Sequence, residues 1–553
     1  MATTTDGATQ QASAKGSSPQ ESMYETPDQY DMDDIEDSLD DGAGDEIVRR
    51  GHTKNDRKDM NRMGKRQELI VCFPAESGTS IRIWFTDLWE VEKLPAAFCP
   101  KLCPHPASYL GVYVDDLSMA ASLGYSGRIS GPSLVLVSAP ISGGQYHWVS
   151  EFASEKHQKF LSYITGWLSV LAWQAGAASG SFLTGNIIQG LLTVNKPDYE
   201  ATPWRGTLLV FAMVALIYVF NIWVAQGLPM IQNLLLVVHI FGFLAVVVVL
   251  WVMAPHQSAR AVFTEFRNGG DWPSVGVSVM VGQLSAIYGG LSVDATAHMA
   301  EEVKDAGRNV PNAIAWGYMA NGILAIIFIV TYIFSIPSVE DALNDPSTFP
   351  FIYVFRNAVS TKGVNALTIV ILVLVIASNV SFNASASRQT FSFARDKGLP
   401  FAKWLSAVHP KKHIPANAIF VSCLISVLLS LINLGSSAAF HAIISLNVAA
   451  LMATYVVSIS CVLYLRLTRP ELLPHARWSL GPVVGPIVNG IGLGYVLFAL
   501  FWSFWPGDRH VTVSNFNWSI VIFSGVVIIS LVMYFVQGRK TYTGPVTTVV
   551  GRH

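Results

Sequence analysis

VGVSVMVGQLSAIYGGLSVDATAHMAEEVKDAGRNVPNAI, residues 275–314, begins as an uncharged apolar helix and changes character at Gly289 and Gly290. If the segment crosses a bilayer, the change falls past the middle of the span. A helix interrupted at membrane depth leaves N–H groups that can meet a carboxylate and carbonyls that can meet a cation. Such a break is tolerated only where it is buried in protein or lines an aqueous cavity. Two glycines also permit close helix packing, so the pair alone leaves both readings open. Asp294 follows four residues after Gly290, with His298 and Glu301 at i+4 and i+7 on the same helical face. Ionisable groups at this depth are costly and usually mark a pathway. Asp294 either serves that pathway or, like Ser292, caps the second half-helix. Glu301 and Glu302 either serve it or reach the cytoplasmic interface, where water solvates them cheaply.

The rest of the chain supports a membrane setting. Its 553 residues are 51% apolar and 13% charged, against roughly 25% charged for a soluble domain, and the mean hydropathy is +0.40. The net charge of -2 offers no basic excess for neutralising phosphates, which sets nucleic acid aside. A bilayer core of about 30 Å needs about 20 mainly apolar helical residues, because hydrocarbon leaves every backbone group to be satisfied internally. That criterion predicts ten spans, near 160–193, 207–225, 230–253, 275–297, 313–336, 364–388, 415–434, 438–465, 484–504 and 517–537. The fold class expected is therefore an all-α polytopic membrane protein.

Placing alternate connections on opposite sides puts eleven Lys and Arg on the side of the termini and seven on the other. Positive residues are retained in the cytoplasm, so both termini are expected there. The loop after residue 388, counted from Arg388 to Lys412, is the densest part of this bias. Trp251, Trp272, Trp502, Trp505 and Trp518 flank external connections, as aromatic residues do at headgroup level.

Residues 1–68 are rich in Ser, Thr, Gly, Asp and Glu, with an acidic block from Asp31 to Glu46 and a basic one from Arg49 to Arg66. Such a segment buries too little apolar surface to offset its ordering entropy and reads as a disordered cytoplasmic tail. It lacks the charged-then-apolar pattern of a cleaved signal peptide. The five cysteines imply no disulfide framework. Cys99, Cys103 and His105 lack the second ligand pair that a zinc site needs, so no metal and no cofactor are expected. No HExxH, nucleophile elbow or carboxylate pair lies within the spans, and an enzyme is not expected.

GGLSVDATAHMAEEVKDAGRNVPNAI resembles the helix-six signature of the amino acid, polyamine and organocation superfamily, in its fungal branch of amino acid, choline and GABA permeases. APISGGQYHWVSEFA (Ala139 to Ala153), SRQTFSFARDKGLPF (Ser387 to Phe401) and RKTYTGP (Arg539 to Pro545) agree with it, so the likeness covers 139–545. It implies a LeuT-like core of two inverted five-helix repeats followed by two further helices. It also implies substrate binding at the midplane against broken helices, often with a proton as coupling ion. Carried onto this chain, the substrate site comprises Tyr288, Gly289, Gly290, Leu291, Ser292 and Asp294, with backbone groups holding the amino-acid-like head. Asp294 and Glu301 are the candidate coupling residues. Ser378 and Asn379 either line the same cavity or bond only to neighbouring helices.

Residues 69–138 depart from the pattern. The family's first two helices belong there, yet charges recur from Glu76 to Asp116 and the longest charge-free run before Arg128, Leu102 to Val114, holds two prolines. The uncharged stretch 129–150 reads as a loop because of its prolines, glycines and serines. A wrong reading frame or a retained intron would produce such a block. Domains are thus expected as a tail at 1–68, the anomalous segment 69–138, a transmembrane domain at 139–537 and a short cytoplasmic tail at 538–553. The function expected is a permease for amino acids or related amines in the plasma membrane, with the vacuolar membrane as the alternative address. The alternatives are a transport-inactive membrane sensor or scaffold, and a faulty gene model.

Overall fold

Apolar runs of membrane length become helices because only there can each peptide group bond within its own segment, and the computed structural model shows this along the chain. It describes Met60, Leu69 and residues 142–545, apart from 266–267, 292–293, 348, 435–438, 474–480 and 514. The anomalous block, apart from Leu69, and most of the stretch read as a tail lie outside the described residues. Met60 is buried in the apolar cluster that includes Trp148, Phe152 and Met299, and Leu69 in one with Phe391 and Ala418.

The described elements are helical, with no β-strand among them: α1 (Gln145–Phe152), α2 (Glu155–Asn195), α3 (Pro203–Trp223), α4 (Leu228–Met253), α5 (Val275–Gly289), α6 (Ala295–His298), α7 (Ala306–Phe334), α8 (Thr361–Arg395), α9 (Ala416–Ser430), α10 (Ala439–Thr468), α11 (Gly481–Trp502) and α12 (Ser519–Met533), with short turns and helices between them. Seven helices are long and apolar enough to cross a membrane by length and composition alone. They correspond to α3, α4, α8, α9, α10, α11 and α12. The other three expected spans differ for physical reasons. The 275–297 span is the broken pair α5 and α6. In α7 the shorter apolar part is Ala320–Phe334, and the helix begins at Ala306, earlier than the expected 313. In α2 the interior is studded with Gly, Ser, Thr and Gln.

The polarity of α2 follows from its position. Its 41 residues extend roughly 60 Å at about 1.5 Å per residue, and it packs on α8, α10, α1, α3, α9 and α12. A helix enclosed on so many sides needs small residues for close approach and hydrogen bonds to its neighbours. At Gly176 an added Cβ would lie 2.4 Å from the Phe382 ring, and at Gly180 2.5 Å from the Asn379 side-chain amide, both on α8. Gln174 donates to Thr390 Oγ1 at 2.9 Å and to Ser422 Oγ at 2.8 Å, and Gln389 donates to Ser169 Oγ at 2.6 Å.

A similar bond joins α3 to α8, where Asn221 Nδ2 donates to the Val380 carbonyl at 3.1 Å as well as to Ile217 of its own helix. Interhelical bonds of this kind contribute about 0.6 kcal/mol on average. Asn221→Leu is therefore expected to lower stability by roughly that amount and by no more than about 2 kcal/mol, read from thermal unfolding in detergent.

The sequence reading of 129–150 as a loop is corrected at its end. Residues 145–150 form most of α1, and Gly144 precedes it with φ 59° and ψ -132°. The tight turn at the glycine pair isolates a helix of only 8 residues, too short to register as a periodic apolar pattern. After α12 the helix widens into a π-helical turn at Tyr534–Gly538. Beyond it Tyr542 is buried edge-on to Tyr163 (5.2 Å between centroids) and beside Phe393 (5.9 Å). Its hydroxyl donates to Ser162 Oγ at 3.2 Å, and Lys159 Nζ donates to the Arg539 carbonyl at 2.9 Å.

Candidate functional site

The break lies where the sequence places it. α5 stops at Gly289, and Gly290 closes it by donating its N–H to the Ala286 and Ile287 carbonyls. Leu291 is buried and non-helical, and regular structure resumes with α6 at Ala295, then a 3₁₀ turn at Ala300–Glu302. Ser292 lies outside the described residues. α5 packs on α10 and α11, α6 on α8, so the interruption is enclosed by protein. Tyr288 lies within 2.8 Å of Ser179 Oγ. Ser179 donates its one hydrogen to the Gly176 carbonyl at 2.7 Å, so in this pair the tyrosine is the donor.

Asp294 occupies the N-cap position of α6, yet its side chain makes no capping bond. The carboxylate turns instead to Gln145, which donates to Oδ2, and to His298, whose Nε2 lies 3.4 Å from Oδ2. His298 Nδ1 is 2.9 Å from the Ser142 carbonyl, and the Ser142 N–H donates to Glu301 Oε1 at 3.2 Å. One residue of the segment before α1, Ser142, thereby ties His298 and Glu301 together through its carbonyl and its N–H. Trp173 of α2 stands edge-on to the imidazole at 4.7 Å.

The reading of Glu301 and Glu302 as solvated at the interface is corrected. They are 1% and 4% exposed. Glu301 accepts a bidentate pair from Arg395 (2.8 and 3.0 Å), and Glu302 pairs with Arg388 (2.7 and 3.4 Å). Burial is affordable only because each carboxylate meets a guanidinium fork. Arg388 and Arg395, counted above with the loop charges, belong to the last turns of α8, and Arg388 is 1% exposed. Tyr146 of α1 reaches the next residue beyond that helix, donating to Asp396 Oδ2 at 2.9 Å. Burial and the facing carboxylate push its phenol well above its ordinary value, so it stays a donor.

Ser378 and Asn379 line a cavity of about 10 Å³ between α2 and α8, with Gly176, Gly180 and Phe382. That is about the volume one water needs. Asn379 also bonds across to α2, its nitrogen donating to the Ala177 carbonyl (3.2 Å) and its oxygen accepting from the Ser181 hydroxyl (2.9 Å). The cavity and Tyr288 therefore meet the same stretch of α2, residues 176–181, from two sides. Ser142, Gln145, Trp173 and Ser179 were not singled out from the sequence, since nothing local marks which residue of a distant helix meets the break. Arg388 and Arg395 did carry a signal: a seven-residue spacing that sets both on one face of α8, opposite the Glu301–Glu302 doublet.

A buried, interrupted helix braced by ion pairs inside an all-helical membrane bundle defines an integral membrane transporter rather than an enzyme. The chain belongs to the amino acid permease family, whose pattern matches residues 123–526. It is 28% identical over 427 residues to the GABA-specific permease of Saccharomyces cerevisiae, covering 74% of this chain and 73% of that one. It is 25% identical over 406 residues to the choline transporter of the same yeast, covering 73% and 71%. With amino-acid permease 2 of Neurospora crassa it shares 26% over 415 residues, covering 74% and 75%.

Proposed function

We propose that the chain is a secondary active transporter of amino acids or related amines such as GABA or choline, working by alternating access with the proton as coupling ion. The observation that carries this reading is the enclosed interruption between Gly289 and Ala295. Peptide groups freed there can hold a zwitterion or a cation. Tyr288, Gly289, Gly290, Leu291, Ser292 and Asp294 would supply the substrate site, and Asp294 or Glu301 the coupling group. The cavity beside Ser378 and Asn379 would widen into the same space as the broken helix moves. No cofactor and no nucleic acid enter this scheme. The bilayer is the partner, the plasma membrane the address, with the vacuolar membrane as alternative, and both termini face the cytoplasm.

Uptake of labelled amino acids, GABA and choline into cells expressing the chain tests the reading, and accumulation above the untransformed background for at least one of them is expected. The second reading, a transport-inactive sensor or scaffold, draws on the charged, span-free sequence of 69–138. Normal surface delivery with no uptake of any of the three would select it. Translating the underlying transcript across that block in its other frames tests the splicing alternative, which predicts two apolar helices there.

A further inference from the structure

Three carboxylates of the 294–302 segment are buried together, Asp294, Glu301 and Glu302. Two of them face guanidinium groups, Arg395 and Arg388, which keep their charge at every physiological pH. Their ionic state is fixed by their partners. Asp294 is the carboxylate left without an arginine among these pairs, and the side chain beside it is an imidazole, the one side chain whose unperturbed titration falls near neutrality.

The hydrogen-bond directions at His298 decide what the pair holds. A carbonyl oxygen only accepts, so the contact from Nδ1 to the Ser142 carbonyl at 2.9 Å places a hydrogen on Nδ1. A neutral ring then presents a bare lone pair at Nε2 to a carboxylate oxygen 3.4 Å away. Two acceptors facing each other in a buried site repel. One additional proton, on Nε2 or on the carboxyl group, turns the contact into an attraction. Gln145 already donates to Oδ2, Oδ1 has no hydrogen-bond partner among the described residues, and the proton bridges the contact when it lies between Nε2 and Oδ2. The ring cannot swing away, because Trp173 stands against it and Gly144 packs so closely that a Cβ there would lie 2.4 Å from Cε1.

We infer that Asp294 and His298 together bind a single proton, and that this proton fastens the broken helix to the segment 142–145 that precedes α1. The inference rests on the proton-coupled reading above and selects Asp294, with His298, over Glu301 as the coupling group. When the proton leaves, the Nε2–carboxylate contact becomes repulsive while the bonds from His298 Nδ1 to Ser142 and from Gln145 to Asp294 remain, so the repulsion is carried as strain between α6 and the segment 142–145. The other ionisable groups on the elements adjoining the pair are His147 of α1, Glu301, Glu302, Lys304 and Asp305 of the turn after α6, Arg308 in the first turn of α7, and Arg388, Arg395 and Asp396 at the end of α8; α2 contributes the uncharged Trp173.

Infrared absorption of the full chain in lipid nanodiscs, compared between about pH 5 and about pH 8, the range in which histidine changes charge, reads the proton directly. Because the chain has 13 histidines, the pair is read from wild-type-minus-variant difference spectra, in which a carboxyl and an imidazole component that change together are expected to be lost in Asp294→Asn and in His298→Gln and to persist in Glu301→Gln. Should one variant fail to fold, the remaining two and the wild-type spectrum still decide. Absence of the titration in the wild type, its survival in Asp294→Asn and His298→Gln, or its loss in Glu301→Gln would overturn the inference. Uptake measured on the same preparations reconstituted into liposomes separates the two claims. Titration without uptake leaves the proton pair standing and removes the permease reading. Uptake without titration does the reverse.

Discussion

Arg388→Met is expected to destabilise the chain by about 3–5 kcal/mol, the usual loss when one partner of a buried ion pair is removed. The guanidinium is 1% exposed and meets Glu302, itself 4% exposed, through two bonds. Without it the carboxylate remains in the protein interior with no counter-charge. Glu302→Gln alone should cost a comparable amount by stranding the arginine. The double variant should regain most of the loss, because a Met and a Gln require no charge pairing. Thermal unfolding of the three proteins in the same detergent forms the cycle. If the double variant is as unstable as the sum of the singles, the pair is not what holds α8 to the turn at Ala300–Glu302. The neighbouring pair, Glu301 with Arg395, is more exposed on its arginine side, at 12%, and the corresponding arginine variant should lose less.

Gly144→Ala is the second change with a large expected effect, and two independent causes add. The backbone there has φ 59° and ψ -132°, a region open essentially to glycine alone, and forcing an alanine into it costs about 1–3 kcal/mol. The new methyl would also meet the imidazole of His298 at 2.4 Å, an overpacking that costs about 1–3 kcal/mol more. The ring is backed by Trp173 and cannot give way, so the segment 142–145 must move off the broken helix. A fall in thermal stability accompanied by protease sensitivity near residue 144 is the expected result. Gly525→Ala on α12, where an added Cβ meets nothing within 4 Å, serves as the control and should leave both readouts unchanged.

The sequence displays the spans because hydrocarbon imposes a length and a composition that few other settings share. The glycine pair, followed by an acid at membrane depth, likewise marks the break without reference to any other part of the chain. The pairing of charges was not legible in the same way. Glu302 and Arg388 are 86 residues apart, and an arginine near the end of an apolar run has the same local appearance whether it faces water or a buried carboxylate. Nor does apolar content single out α2 as enclosed: its Gly, Ser and Gln residues lower its hydropathy for the very reason that it touches helices rather than lipid. Nothing local in the sequence marks the direction of the Asp294 side chain, which turns toward Gln145 and His298 and makes no capping bond to α6.

The seat of Tyr542 has a practical bearing on how the protein can be handled. With its ring wedged among Tyr163, Phe393 and Tyr146 and its hydroxyl on Ser162, the stretch after α12 works as a fastener between the ends of two distant helices. A purification handle or fluorescent reporter joined beyond Pro545 leaves that fastener engaged. One spliced in directly after Met533 would unplug an aromatic socket and present it to cellular quality control.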